Sequence, residues 1–564
     1  MSLHNLSELA ESLPKPTPPS PFPHPYWIVF SDYGPRFPSI EEKLIQKFSQ
    51  TIRSKPQWKL KYNNSDIASK WKQEFRDEFG KETRSMEGVL DYVFLELKWI
   101  DKTEATLGGF TLGPDEKILA SGTGIDAVVD EKVKLQLQEQ AKALAKSFDE
   151  VDYHPGTTTV VDLVHPLLFP LQYGVTPIKN EDGGVSVSEY LEEIENKKKS
   201  VSFGISKKYQ WLPTSMTLDS SQDFQFTSYI NNLHPVKFES LYKTISQVFN
   251  AAVPALNFSL SYYASGYRYK VEVPDGYEAY PKEYEEYMDA LYNEEDKKEK
   301  EIEGYEYDYD KVEEVLSAKR LEFLKPLTVS YKEDPSPTNP INVKDFDQLK
   351  VIVKMANIEL TPENPSYPGG SWHVEGTINE NIVATVLYYY DVENITTSTL
   401  SFRAGFEEPR YEQGDSEYLS TYFGLKDEDV MTSPLGSTEA FEDRIIVFPN
   451  FFQHHVDPFE LKDKQKPGHR KILCFFVVDP YDTLAITSDD VPPQQEEWWA
   501  DEQLKDYLPD LLKEKILKLK GEKNWPQTMK EAKEMREDLM KERSVIIDDD
   551  IFDPYEREFS LCEH

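Results

Sequence analysis

Ten histidines are spread over 564 residues, and three of them, His454, His455 and His469, fall within sixteen positions just before a β-rich run. A fourth, His373, stands in Gly369-Gly370-Ser371-Trp372-His373-Val374-Glu375. In an extended segment residues two apart face the same way, so His373 and Glu375 would present an imidazole and a carboxylate side by side. Two sheets folded over each other could bring a histidine from the later group to that pair. Two imidazoles and one carboxylate on one face of a metal leave three positions open, the arrangement in which non-haem Fe(II) holds a bidentate co-substrate and oxygen. Zinc hydrolases share such donors, so the set alone does not fix the metal.

The distal segment is more specific. Phe448-Pro449-Asn450-Phe451-Phe452-Gln453-His454-His455-Val456-Asp457-Pro458, followed by Pro467-Gly468-His469-Arg470-Lys471-Ile472-Leu473, resembles the Phe-Pro…His-x-Val-x-Pro…Arg end of the iron(II) and 2-oxoglutarate dependent dioxygenases. That resemblance implies a double-stranded β-helix (jelly roll), metal ligands His373, Glu375 and His454, and O₂ and 2-oxoglutarate as co-substrates. It implies Arg470 as the anchor of the far carboxylate of 2-oxoglutarate, a role suited to a guanidinium fork. Glu375 stands where Asp is commoner, and the gap from His454 to Arg470 is longer than usual, which keeps Lys471 and His469 as alternative anchors. Tyr388, in the run Tyr388-Tyr389-Tyr390, would assist the anchor if its phenol points inward. The implied reaction is hydroxylation, or demethylation through hydroxylation, of an unassigned substrate.

Longer phrases resemble a narrower and mainly fungal family, domain of unknown function 4246. They include Tyr153-His154-Pro155-Gly156, Asp162-Leu163-Val164-His165-Pro166, Tyr209-Gln210-Trp211-Leu212-Pro213, Ser228-Tyr229-Ile230-Asn231-Asn232-Leu233-His234-Pro235, Val491-Pro492-Pro493-Gln494 and Leu539-Met540-Lys541-Glu542-Arg543. That family carries no assigned activity. Asn231, Asn232, His234 and Trp372 are candidates for a substrate pocket, since short polar residues in loops beside a core often line one. His154, Asp162 and His165 offer a second donor cluster, against which His-Pro-Gly and His-Pro read more simply as turn devices. Cys474 reads as a small buried residue on a strand.

The elements that must position these residues change along the chain. Seven prolines between Pro14 and Pro25 predict an extended, disordered tail over 1–29. Helical periods follow at Ser39–Lys55, Ser65–Glu82, Met86–Ile100 and Asp130–Phe148, giving a mainly helical region over 30–260 broken by a short strand near Thr158–Val161. Pro281–Glu314 holds fifteen acidic residues against five basic ones, and 261–345 reads as a partly disordered acidic insert, with a first half able to form a solvated helix, or as a docking strip for a basic partner. Short β-rich runs at Leu349–Met355, Asn381–Tyr390, Arg444–Phe448 and Ile472–Val478 place a jelly-roll core at 346–482. Helices at Glu497–Lys520 and Thr528–Arg543 close the chain in 483–564. The fold class is therefore expected to be α+β. A net charge of −38 argues against nucleic acid as a partner, and two cysteines suit a reducing compartment. With no long apolar run or signal-peptide order, the chain is expected in the cytoplasm or nucleus, away from membranes. Readings from other classes are an interaction scaffold built on a jelly roll and a zinc-dependent hydrolase.

Overall fold

The computed structural model describes residues 20–23, 35–179, 185–187, 204–500 (apart from 308, 413, 483 and 484), 525–548 and 555–559. Most of the proline-rich leader, and most of the helix expected at Glu497–Lys520, lie outside the described residues. Helix α1 (Ile40–Arg53) starts at a capping box in which the Ser39 hydroxyl accepts the Glu42 N–H and the Glu42 carboxylate accepts the Ser39 N–H. It buries Leu44, Ile45, Phe48 and Ile52, a stripe at helical spacing. Helix α2 (Ser65–Phe79), capped by the Asn64 side chain, buries Trp71, Phe75 and Phe79. Helix α3 (Met86–Glu104) packs against α1, and α4 (Glu131–Lys146) follows an Asp130 cap.

One large antiparallel sheet organises the molecule. From the N-terminal half it takes β1 (Phe110–Leu112), β2 (Leu119–Ser121), β3 (Val160–Val164), β4 (Thr214–Leu218) and β5 (Phe224–Phe226). From the C-terminal half it takes β6 (Leu349–Leu360), β7 (Ile382–Glu393), β10 (Arg444–Pro449) and β12 (Gly468–Val478). The order is β1-β2-β10-β7-β12-β6-β4-β5, with β3 also pairing β6. A smaller sheet has β8 (Thr399–Gly405) between β9 (Thr432–Glu439) and β11 (Gln453–Val456). The protein is α+β. The N-terminal half is thus not helical scaffolding alone: five short strands from it extend the large sheet.

Strand register decides which side chains meet. Lys354 of β6, Cys474 of β12 and Leu387 of β7 are aligned, as are Ile358, Arg470 and Val392. Side chains of aligned residues share a face, so Lys354, Cys474 and Arg470 lie on one face. Phe448, aligned with Thr385 on that same face, meets Phe402 of the small sheet edge-on with ring centroids 5.0 Å apart. The opposite face is covered by α5 (Glu239–Ala264), whose Phe249 ring lies 5.2 Å from Phe475.

The acidic segment, expected to be partly disordered, forms two helices, α6 (Lys282–Glu301) and α7 (Tyr309–Phe323). Its tyrosines supply the apolar surface that a charge count overlooks: Tyr284, Val312 and Leu316 make a small core of their own. Tyr280 donates to Asp415 at 2.6 Å, and Arg320 donates to the Tyr284 hydroxyl at 3.0 Å beside helix α8 (Ser416–Tyr422). A last helix, α9 (Met529–Asp548), returns to the sheet region. Among the described residues no helix is long and apolar enough to cross a membrane.

Candidate metal centre

The two candidate histidines are backbone partners. His373 N–H donates to the His454 carbonyl at 3.2 Å and His454 N–H to the His373 carbonyl at 3.0 Å, which sets the rings 4.4 Å apart. This isolated bridge, rather than a regular strand at His373, joins the loop between β6 and β7 to β11. Glu375 then faces both: its Oε1 is 3.7 Å from His373 Nε2 and 3.5 Å from His454 Nε2. One donor atom from each of the three lies within 4.8 Å of the others. His454 is 4 % exposed, whereas 41 % of the His373 side chain is open, so the cluster has a buried side and an accessible one.

Neighbours hold the Glu375 backbone from behind. The Asn450 side chain accepts the Glu375 N–H and donates to the Glu375 carbonyl, both at 2.8 Å, while also donating to the Ile382 carbonyl. Gly376 follows at φ 72°, where a Cβ would lie 2.8 Å from Ile382 Cδ1, so the turn requires glycine. Glu380 accepts from Thr377 N–H and hydroxyl, from Trp211 N–H at 2.8 Å, and from Arg543 of α9 at 2.6 Å. The ligand loop is therefore tied to both halves of the chain.

Protonation states suit a cation. Burial opposes a charge on Glu375, yet the flanking His373 and His454 outweigh it and hold the carboxyl well below its usual range. Burial, reinforced by His373, pushes His454 down to about 4, so its imidazole is neutral near neutral pH. His373 is disfavoured as a cation by burial but raised on balance by Glu375. Its Nδ1 faces the Ser371 carbonyl at 2.8 Å; the N–H on that side leaves the Nε2 lone pair aimed at the cluster.

His154, Asp162 and His165 form a second cluster of similar size, with His154 Nδ1 3.0 Å from Asp162 Oδ2 and His165 Nε2 3.8 Å from Asp162 Oδ1. Here the tautomer is the reverse. His165 Nδ1 accepts the Leu167 N–H at 3.2 Å, so the proton of the neutral ring sits on Nε2, which is then a donor and not a metal ligand. Arg536, 3.4 Å from Asp162, adds a positive charge. The turn reading fits this cluster better than a metal.

The co-substrate candidates separate clearly. Arg470 is 2 % exposed; its Nη1 donates to Ser398 Oγ at 2.9 Å, its guanidinium lies between the Tyr389 and Phe459 rings, and its Nε has no hydrogen bond. Among the described residues it makes no ion pair. Lys471 and His469 lie on the opposite face and both engage Asp391, at 2.5 and 2.8 Å. Tyr388 does not assist Arg470: alternation along β7 turns it away, and its hydroxyl donates to Asp443 at 2.8 Å, leaving Tyr389 beside the guanidinium. His455 pairs outward with Asp457 at 3.1 Å and stacks on Trp372 at 4.0 Å, so Trp372 marks the rim and not the cluster. Asn231 donates to the Leu168 and Phe169 carbonyls, Asn232 takes φ 66° in the turn, and His234 packs on Trp498 at 5.0 Å. None of these contacts involves the donor cluster. Sequence reasoning missed Asn450, Tyr389 and Lys354; for Lys354 the signal was a second lysine, four residues after Lys350, inside the otherwise apolar run Leu349–Met355.

An α+β protein with a His-Glu-His candidate metal centre is the class that these observations define. The chain belongs to the family described as protein of unknown function (DUF4246), whose model matches residues 87–502, and the family's N-terminal domain model matches residues 10–74. No curated protein matches it. Among solved structures, IDO from Bacillus thuringiensis is 16 % identical over 24 % of this chain and 48 % of its own, with a TM-score of 0.15. The match thus spans about half the length of that protein. The Fe(II)/(alpha)ketoglutarate-dependent dioxygenase TqaL is 10 % identical over 70 % of this chain and 88 % of its own, at a TM-score of 0.24. A bsmA homolog from Methylobium petroleophilum PM1 is 8 % identical over 68 % and 93 %, at 0.23. Similarities this low carry no weight for fold or activity.

Proposed function

We propose that this protein is an Fe(II) and 2-oxoglutarate dependent oxygenase built on a double-stranded β-helix. The observation that carries the reading is Arg470: a buried guanidinium without a carboxylate partner, on the sheet face turned toward His373, Glu375 and His454. A buried cation left unpaired is costly unless something else supplies the anion, and a dicarboxylate whose other end reaches a metal does so. The strand order supports the reading as well. Four strands β10-β7-β12-β6 face β9-β8-β11 and the His373 segment, which is how two four-stranded halves of a jelly roll are arranged.

His373, Glu375 and His454 would hold the metal. Bound there, Fe(II) would supply the redox chemistry that couples oxidative decarboxylation of 2-oxoglutarate to oxidation of a C–H bond. The chain's own share is placement. Asn450 fixes the Glu375 backbone, the Ser371 carbonyl fixes the His373 tautomer, and Tyr389 and Phe459 keep water from the Arg470 fork. In protein purified under nitrogen, iron should be retained and 2-oxoglutarate should bind. Arg470→Ala should weaken that binding by about 2–4 kcal/mol without loss of iron. Unchanged affinity in the variant would remove the anchor role, and retained zinc with no response to 2-oxoglutarate would make the protein a zinc hydrolase instead.

A further inference from the structure

A second cation faces the same interior. Lys354 sits in β6, with β12 paired along one edge and β3 and β4 along the other, and its neighbours Val353 and Met355 are buried. Lys354 is nevertheless partly open. Its open surface lies in the middle of a sheet, on the face turned toward the metal loop. Its charge acts on Glu375 and His373 on one side and on Asp162 and His165 on the other. Among the described residues no carboxylate lies within ion-pair distance of it. Neither carboxylate is available to become one: Asp162 is held by His154 and Arg536, and Glu375 faces the histidine pair with which it would hold the metal. Arg470 is a separate point of the same face, aligned with Ile358 four residues along β6.

We infer that Lys354 binds an oxyanion group of the substrate to be oxidised, a carboxylate or a phosphate, so that the substrate of this protein is an acid. The inference rests on the oxygenase reading and adds the substrate class to it. A compact ammonium with three rotatable donors suits one oxyanion, while the guanidinium fork of Arg470 remains for the co-substrate. Held at Lys354, the acid lies between the metal loop and the Asp162 cluster.

The full chain, loaded with Fe(II) and saturated with 2-oxoglutarate under nitrogen, is titrated by calorimetry with phenylacetate, decanoate and phenyl phosphate. Each is run beside a neutral counterpart: phenylacetamide, decanamide and phenol. At least one anion should bind about tenfold or more tightly than its counterpart, the effect of one charge-assisted contact. Lys354→Met should abolish that preference and Lys354→Arg should restore part of it, which separates a lost contact from a lost fold. Carboxylate against phosphate distinguishes the two kinds of acid. Equal binding of anions and counterparts, no binding of any anion, or a preference that survives in Lys354→Met would each overturn the proposal. Weaker 2-oxoglutarate binding in Lys354→Met would overturn it too, by giving Lys354 to the co-substrate. If wild type ignored 2-oxoglutarate yet kept a Lys354-dependent anion preference, the oxygenase reading would fail and the anion site would stand.

Discussion

His454 and His455 are adjacent, and the structure turns them to opposite sides: one toward Glu375, the other onto Trp372 and Asp457. Removing a ligand opens the metal's coordination, whereas an outward imidazole tunes only its surroundings. His454→Ala should therefore lower iron affinity by more than about 100-fold, and His455→Ala by less than about tenfold, as measured by metal content after dialysis. Exchange of the two behaviours would shift the register by one residue. Asn450 carries a subtler load, since it satisfies both backbone groups of Glu375. Asn450→Ala should cost about 1–3 kcal/mol in a urea melt and weaken iron binding about 10–100-fold while leaving the ligands present. A full-affinity variant would show that the carboxylate needs no support.

At the scale of elements, the acidic hairpin gives the clearest correction. Replacing Glu283–Asp310 with a Gly-Ser linker would leave folding unchanged if the segment were solvated charge. Instead Arg320, 5 % exposed, ties the two helices of the hairpin through Tyr284, pairs with Glu313 and lies 3.9 Å from Asp415 outside the hairpin. Arg320→Ala should lower stability by about 2–4 kcal/mol, read as a fall in the thermal midpoint, and the linker replacement should lower it as well. An unchanged midpoint in both would free the hairpin from the core. The contrast shows what was legible. Long runs with a strong period, such as α1 and β12, announce themselves, and so did the His-x-Glu pair and the distal His454 that the fold brings together. Strands of three residues such as β1, β2 and β5 carry no readable period, and pairing decides them: β1 with β2, β5 with β4, and β2 also with the distant β10. The face of Tyr388 was illegible for a related reason: in a run of three tyrosines, only the cross-strand register says which phenol turns inward.

The whole molecule converges on the ligand loop. Glu380, five residues after Glu375, is gripped by Trp211 from the N-terminal half and by Arg543 from the last helix, while Arg543 also lies 4.3 Å over the Trp211 ring. The interior below it combines a His-Glu-His cluster, one buried guanidinium without a counter-ion and one partly open ammonium on the same face. Such a set of charges makes sense around a metal and two acids, and little sense in an inert scaffold. The most direct test is the fate of carboxyl-labelled 2-oxoglutarate given to the iron-loaded protein with and without oxygen, beside His454→Ala. The account predicts labelled CO₂ and succinate in equal amounts, only with oxygen, and none from the variant. Unchanged 2-oxoglutarate in the wild-type protein with iron and oxygen present would contradict it.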